Sequence, residues 1–178
     1  MVRKKGTATK RLGETLVTTG HITRDQLQDA LEAQRGNGFR LGTNLLIKGY
    51  IGEEQLARFL SAQMGLPAVD HIGEVPDAVR QRVPADIAEL RVVFPIAMDR
   101  DRLVLAMADP SDADAIREVE ACAKCRVRAV VAPELVVTNA IWKQYQIVPD
   151  QETADLLMTG DLGVDVAEHP TYQMDVTA

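Results

Sequence analysis

Cysteine is scarce in this sequence, two residues among 178. That is too few for the disulfide framework of a small secreted domain, and it agrees with a reducing compartment. No run of about 18 apolar residues occurs, which excludes a helical membrane span. The basic start at Arg3, Lys4, Lys5 and Lys10 leads into no apolar signal core. The expectation is a cytoplasmic protein without membrane insertion. Also missing are a G-x4-G-K-[ST] phosphate loop, a G-x-S-x-G elbow, an H-E-x-x-H helix and a paired C-x-x-C set, so no ATPase or other catalytic constellation is expected. Basic residues are absent beyond Lys143, whereas Asp150, Glu152, Asp155, Asp161, Asp165, Glu168 and Asp175 follow it. Net charge is −6 and the pI about 5.1, which argues against DNA or RNA as a partner. The average hides a gradient, because residues 1–63 hold ten bases against six acids.

With 46% hydrophobic and 26% charged residues, the chain suits one globular domain or two small ones. It also carries a duplication. RLGETLVTTGHITRDQLQDALEAQ at 11–34 returns as RLGTNLLIKGYIGEEQLARFLSAQ at 40–63, at a constant offset of 29 residues. Eleven of the 24 aligned positions are identical, where unrelated segments would share about one or two. Each copy reads as a short helical turn from its RLG, a glycine stop at Gly20 or Gly49, and a longer helix. The longer helix of the first copy begins at Thr23, a suitable N-cap, and carries Leu27, Ala30, Leu31 and Gln34 at helical spacing. Leu56, Phe59, Leu60 and Gln63 do the same in the second, and the spacer RGNGF at 35–39 is turn chemistry. A small helical bundle accounts for Leu16, Leu45 and Ile51 as core and for the glycines as caps. It leaves unexplained why both copies keep Arg at the first position and Gln at the last, since packing needs neither. A pair of polar anchors related by a pseudo-twofold suggests a ligand with two similar halves.

These two motifs resemble the MshEN family, the N-terminal domain of type II secretion and type IV pilus assembly ATPases. The family signature is two 24-residue motifs, RLG-x-x-apolar-apolar-x-x-G-apolar-apolar-x4-L-x3-L-x2-Q, separated by five residues, as here by Arg35 to Phe39. The sequence departs from it at His21, where an apolar residue is usual; Tyr50 is closer to pattern. The resemblance implies binding of the second messenger cyclic di-GMP. A guanidinium fork pairs with guanine O6 and N7, which makes Arg11 and Arg40 the expected base readers. Gly13 and Gly42 would let main-chain N–H groups approach the phosphates at a helix start. Leu12, Leu27 and Leu31, with Leu41, Leu56 and Leu60, would wall the bases, and Gln34 and Gln63 would donate to the ligand or brace the opposite repeat. The positive balance of residues 1–63 suits a dianionic nucleotide.

After Gly65 and Pro67 end the last repeat helix, PDAVRQRV and PADIAEL give two short helical stretches within 76–90. VVFPIA at 92–97 and RLVLAMA at 102–108 read as a hairpin about MDRD. A helix at about 111–122, a strand at 126–132 and a closing helix from Pro133 to about Tyr145 complete a small α/β subdomain. FPIAMDRDRLVLAMADPSD also looks like the family's second half, so the resemblance runs from about residue 10 to 146. The expected fold class is α+β. It comprises a basic arm at 1–9, a helical duplicated-motif subdomain at 10–66, an α/β subdomain with a three-stranded sheet and flanking helices at 67–146, and an acidic, disordered tail at 147–178.

Asp109, Asp112 and Asp114 read as capping and dipole chemistry around Pro110 rather than as an acid/base or metal group. Cys122 and Cys125 form a single C-x-x-C with no second pair, and His21, His71 and His169 have no ligand spacing. No metal site, cofactor or catalytic residue is expected. The tail, with one short helix at 151–158, does not look like a linker into an ATPase, so the chain reads as a complete small protein. The expected function is a cyclic di-GMP receptor or adaptor for a secretion, pilus or motility partner. The alternative is a docking module of such machinery without nucleotide binding, in which Arg11 and Arg40 pair with acids.

Overall fold

In the computed structural model, residues 6–150 and 153–155 are described, with side chains from Leu12 onward. The first five residues, the Arg11 side chain and the tail beyond residue 155 lie outside the described residues. The element order is α1 (Gly6–Thr18), α2 (Arg24–Asn37), α3 (Leu41–Ile47), α4 (Glu53–Met64), α5 (Asp77–Arg80), α6 (Ala85–Arg91), β1 (Val93–Asp99), β2 (Arg102–Met107), α7 (Ala113–Ala123), β3 (Arg126–Val131) and α8 (Glu134–Tyr145). This is the α+β architecture that the sequence predicts, with a helical repeat unit leading into a small mixed sheet.

The two repeats end their first helices by the same local chemistry. Gly20 and Gly49 take φ of 73° and 66°, a left-handed conformation that costs glycine nothing. The Gly20 N–H donates to Val17 O and the His21 N–H to Leu16 O, and 29 residues later Gly49 donates to Leu46 O and Tyr50 to Leu45 O. Thr23 and Gln26 close a capping box at the start of α2, satisfying two otherwise orphaned N–H groups. The second copy has Gly52 as N-cap of α4 and makes no side-chain cap.

The copies differ at their starts. Arg40 is the N-cap of α3, but α1 runs 13 residues from Gly6. The first RLG thus lies well inside a helix, where a short turn beginning at the motif was expected. Each first-helix turn also reaches across to the other copy's second helix. His21 meets Phe59 edge-to-face with ring centroids 4.8 Å apart. Tyr50 Oη donates to Asp29 Oδ2 at 2.7 Å, and Lys48 Nζ lies 2.8 Å from the same oxygen. Those two donors hold the Asp29 carboxyl below the usual carboxylate range.

Leu12, Leu16, Ile22, Leu41, Leu45 and Leu56 form the heart of the repeat core. Downstream, α5 and α6 are short helices introduced by Pro76 and Pro84. β1 and β2 pair antiparallel, with an irregularity between Pro95 and Ala97. β3 pairs parallel to β2 after the α7 crossover, giving the order β1-β2-β3. Phe94, Leu103, Leu105 and Met107 are buried in the core of this second unit.

Helix α8 joins the two cores. Its Leu135 belongs to the repeat core, Val137, Ala140 and Ile141 to the other, and Trp142 packs against both. At its far end Tyr145 Oη donates to Val83 O at 2.7 Å, within reach of Arg80 O at 3.0 Å, and Gln144 bonds Gly73 O and Val75 N. Within the predicted tail helix, residues 153–155 are helical, Asp150 accepts from Thr153 N, and Ala154 is buried. No helix among the described residues is long and apolar enough to cross a membrane.

Candidate ligand-binding cleft

The loop into the second repeat is held by polar side chains. Asn44, fully buried, donates through Nδ2 to Phe39 O and Arg40 O at 3.2 and 3.1 Å and accepts from Asn37 Nδ2 at 2.7 Å. Arg40 itself spans the two units. Its backbone N–H donates to Glu134 Oε2 at 3.1 Å and its Nη1 to Ala108 O at 3.2 Å. Its Nε lies 3.5 Å from Glu134 Oε1 and its Nη2 3.6 Å from Asp109 Oδ2. Thr43, also buried, donates to Glu134 Oε2 at 2.9 Å.

Arg40 sits on the wall of a cleft of about 680 Å³ between the repeats and the α/β unit, a size suited to a small-molecule ligand. The second copy contributes all six of its predicted residues to that wall: Arg40, Leu41, Gly42, Leu56, Leu60 and Gln63. From the first copy Leu12 and Gln34 reach it. Gly13, Leu27 and Leu31 do not line it. Gly13 is buried in α1, where a β-carbon would lie 2.6 Å from Leu27 Cδ1. It therefore offers no N–H at a helix start, and Leu27 and Leu31 pack against the repeat core instead. The Arg11 side chain is outside the described residues.

The opposite wall was not legible in the motifs. It comes from residues 108–109, 111–114, Arg117 and 132–134, and it brings Asp109, Asp112, Asp114 and Glu134 into the cleft. Asp112 caps α7 by accepting from Ala115 N, Asp109 accepts from Ser111, and Asp114 pairs with Arg117. Among the described lining residues these four carboxylates outnumber the cations Arg40 and Arg117, so the wall lacks the positive balance expected for a dianionic nucleotide, and any such ligand would be held by specific contacts and not by net charge. Guanine has both an O6/N7 acceptor pair for a guanidinium and N–H donors for a carboxylate. Elsewhere, Cys122 is exposed and Cys125 half-buried, both as free thiols, and the described residues contain no metal-binding cluster.

Comparison with known proteins bears on the family and the fold. The MshEN domain family matches residues 64–151, which leaves the duplicated motifs outside the matched segment. The type IV pilus assembly ATPase PilB of Myxococcus xanthus is 34% identical over 172 residues, 94% of this chain and 30% of that protein. The type IV pilus assembly ATPase PilB of Thermus thermophilus is 33% identical over 114 residues, 62% of this chain and 13% of that protein. The chain thus spans less than a third of either ATPase. Among solved structures, that of MshE with cdg has a TM-score of 0.54 and 32% identity, covering 76% of this chain and 99% of that one. The N-terminal domain of XpsE, with a TM-score of 0.54 and 23% identity over 79% of this chain and 96% of that one, shares the fold.

Proposed function

The chain belongs to the MshEN domain family, and from that premise we propose that it is a non-catalytic cytoplasmic receptor or adaptor for cyclic di-GMP. It couples second-messenger level to a secretion, pilus or motility partner. The observation that carries the reading is convergence on one cleft. Arg40 and Gln63, the two ends of the second motif, share it with Gln34, the end of the first. The solved relative with cdg supports the choice of ligand. Arg40 would take the O6/N7 edge of a guanine, Asp109 its N–H edge, and Leu41, Leu56 and Leu60 the base faces.

One observation favours a second reading. Arg40 already pairs with Glu134 and Asp109, as expected if the domain only docks on secretion or pilus machinery and its arginines serve as struts. Calorimetry with cyclic di-GMP on the wild type, Arg11→Ala and Arg40→Ala separates the two. Heat that is lost or strongly reduced in the variants supports the receptor. No heat with the wild type leaves the docking module, and binding unaffected by both substitutions refutes the site.

A further inference from the structure

Arg40 is held on three sides, and one residue supplies most of the hold. Glu134 Oε2 accepts from the Arg40 backbone N–H and from the Thr43 hydroxyl, so it fixes the main chain from which the side chain springs. Its other oxygen, 3.5 Å from Arg40 Nε, fixes the rotation of the guanidinium. Ala108 O takes Nη1, and Asp109 Oδ2 lies beside Nη2. A guanidinium has five N–H donors. Of these contacts only that to Ala108 O is a hydrogen bond, the two carboxylates lying at ion-pair distance, so the fork keeps donors for a bidentate reading of two acceptors.

We infer that Glu134 is a positioning residue for the ligand. It presents the Arg40 fork already oriented, so that little side-chain freedom remains to be lost on binding. The inference rests on the cyclic di-GMP reading of the cleft. It also makes the two halves of the site unequal, because position 14, which corresponds to Thr43 in the first copy, is an exposed glutamate with no hydroxyl to offer a carboxylate. Glu134 opens α8, and the next residue, Leu135, lies in the repeat core. The ligand's hold on Arg40 is therefore set by the helix that joins the two units.

A residue that acts through Arg40 loses its effect once the fork is gone, whereas a general brace does not. The test is a double-mutant cycle read by calorimetry with cyclic di-GMP, using Glu134→Gln and Arg40→Lys, the latter keeping the charge without the planar fork. Glu134→Gln alone is expected to weaken binding about tenfold, and to weaken it less than about twofold in the Arg40→Lys background. Effects that multiply, or Glu134→Gln binding as tightly as the wild type or tighter, overturn the inference. Should Glu134→Gln fail to fold, Thr43→Val removes one of the carboxylate's partners and must show the same non-additivity. A wild type that gives no heat refutes the cyclic di-GMP reading, and the inference falls with it. Binding with additive effects refutes the inference alone.

Discussion

Gly13 and Leu27 approach so closely that a β-carbon on the glycine would lie 2.6 Å from Leu27 Cδ1 and 3.2 Å from its Cδ2. Twenty-nine residues later Gly42 stands in the same relation to Leu56, at 3.0 and 3.3 Å. The motif glycine is thus the floor on which the motif leucine of the following helix rests, once in each copy. Gly13→Ala and Gly42→Ala should each lower the thermal midpoint. Overpacking costs about 1–3 kcal/mol and outweighs the gain of about 1 kcal/mol in helix propensity. Gly42→Ala should be the worse of the two, because Leu56 is fully buried whereas Leu27 is only partly so. A melt in which either variant matches the wild type would contradict this packing.

Corresponding leucines of the two copies should behave differently toward the ligand. Leu60 lines the cleft and its counterpart Leu31 does not. Leu60→Ala should weaken cyclic di-GMP binding by about fivefold or more, the scale of one lost apolar contact. Leu31→Ala should cost stability and leave affinity within about twofold. Equal losses of affinity in calorimetry would place the ligand against both leucines and refute the unequal roles of Leu60 and Leu31.

Asp29 ties the repeats together through Lys48 and Tyr50. Its folded carboxyl is held below the ordinary range, while the bond to Asp29 pushes Lys48 and Tyr50 above theirs. A depressed acid stabilises above its unfolded pKa and loses that contribution as pH falls through the folded one. Raised bases and phenols stabilise below their unfolded values and lose it as pH rises through the folded ones. The cluster therefore acts fully between about pH 5 and 9. Asp29→Asn should lower stability at pH 7, and its deficit against the wild type should shrink as pH falls below about 4, as urea titrations across that range would show.

Burial pushes the Tyr145 hydroxyl up to about 12, against a smaller opposing influence of Arg80. The sign follows from the neutral phenol being favoured in the fold. Its contribution is complete below about pH 10, the unfolded value, and drains away as pH rises toward about 12. Tyr145→Phe removes the donor to Val83 O and Arg80 O, with an expected loss of about 1–2 kcal/mol at pH 8. It should also flatten the decline between about pH 10 and 12. A variant whose stability falls as steeply as the wild type's would assign the alkaline transition to another group.

Much of the local architecture is readable in the sequence, because its causes are short-range. The Gly20 and Gly49 turns, the Thr23 cap and the hairpin around residues 99–102 each depend on residues within a few positions of one another, whereas the parallel pairing of β3 with β2 joins residues 24 positions apart. The glycines at 13 and 42 are harder to assign. A glycine inside RLG looks the same whether it makes room for a ligand or for a leucine, and only the helix packing distinguishes the two.

The sequence by itself determined that there are two copies, that each ends in a glycine-stopped helix followed by a longer one, and that arginine and glutamine stand at corresponding ends. A 24-residue identity pattern and 3.6-residue periodicity are properties of the chain alone. Tertiary structure alone decided which described residues of each copy line the cleft and what Arg40 touches. Its partners Ala108 and Glu134 lie 68 and 94 positions away. With 26 acids spread along the chain, charge complementarity names no partner for an arginine until packing around α8 brings one within reach.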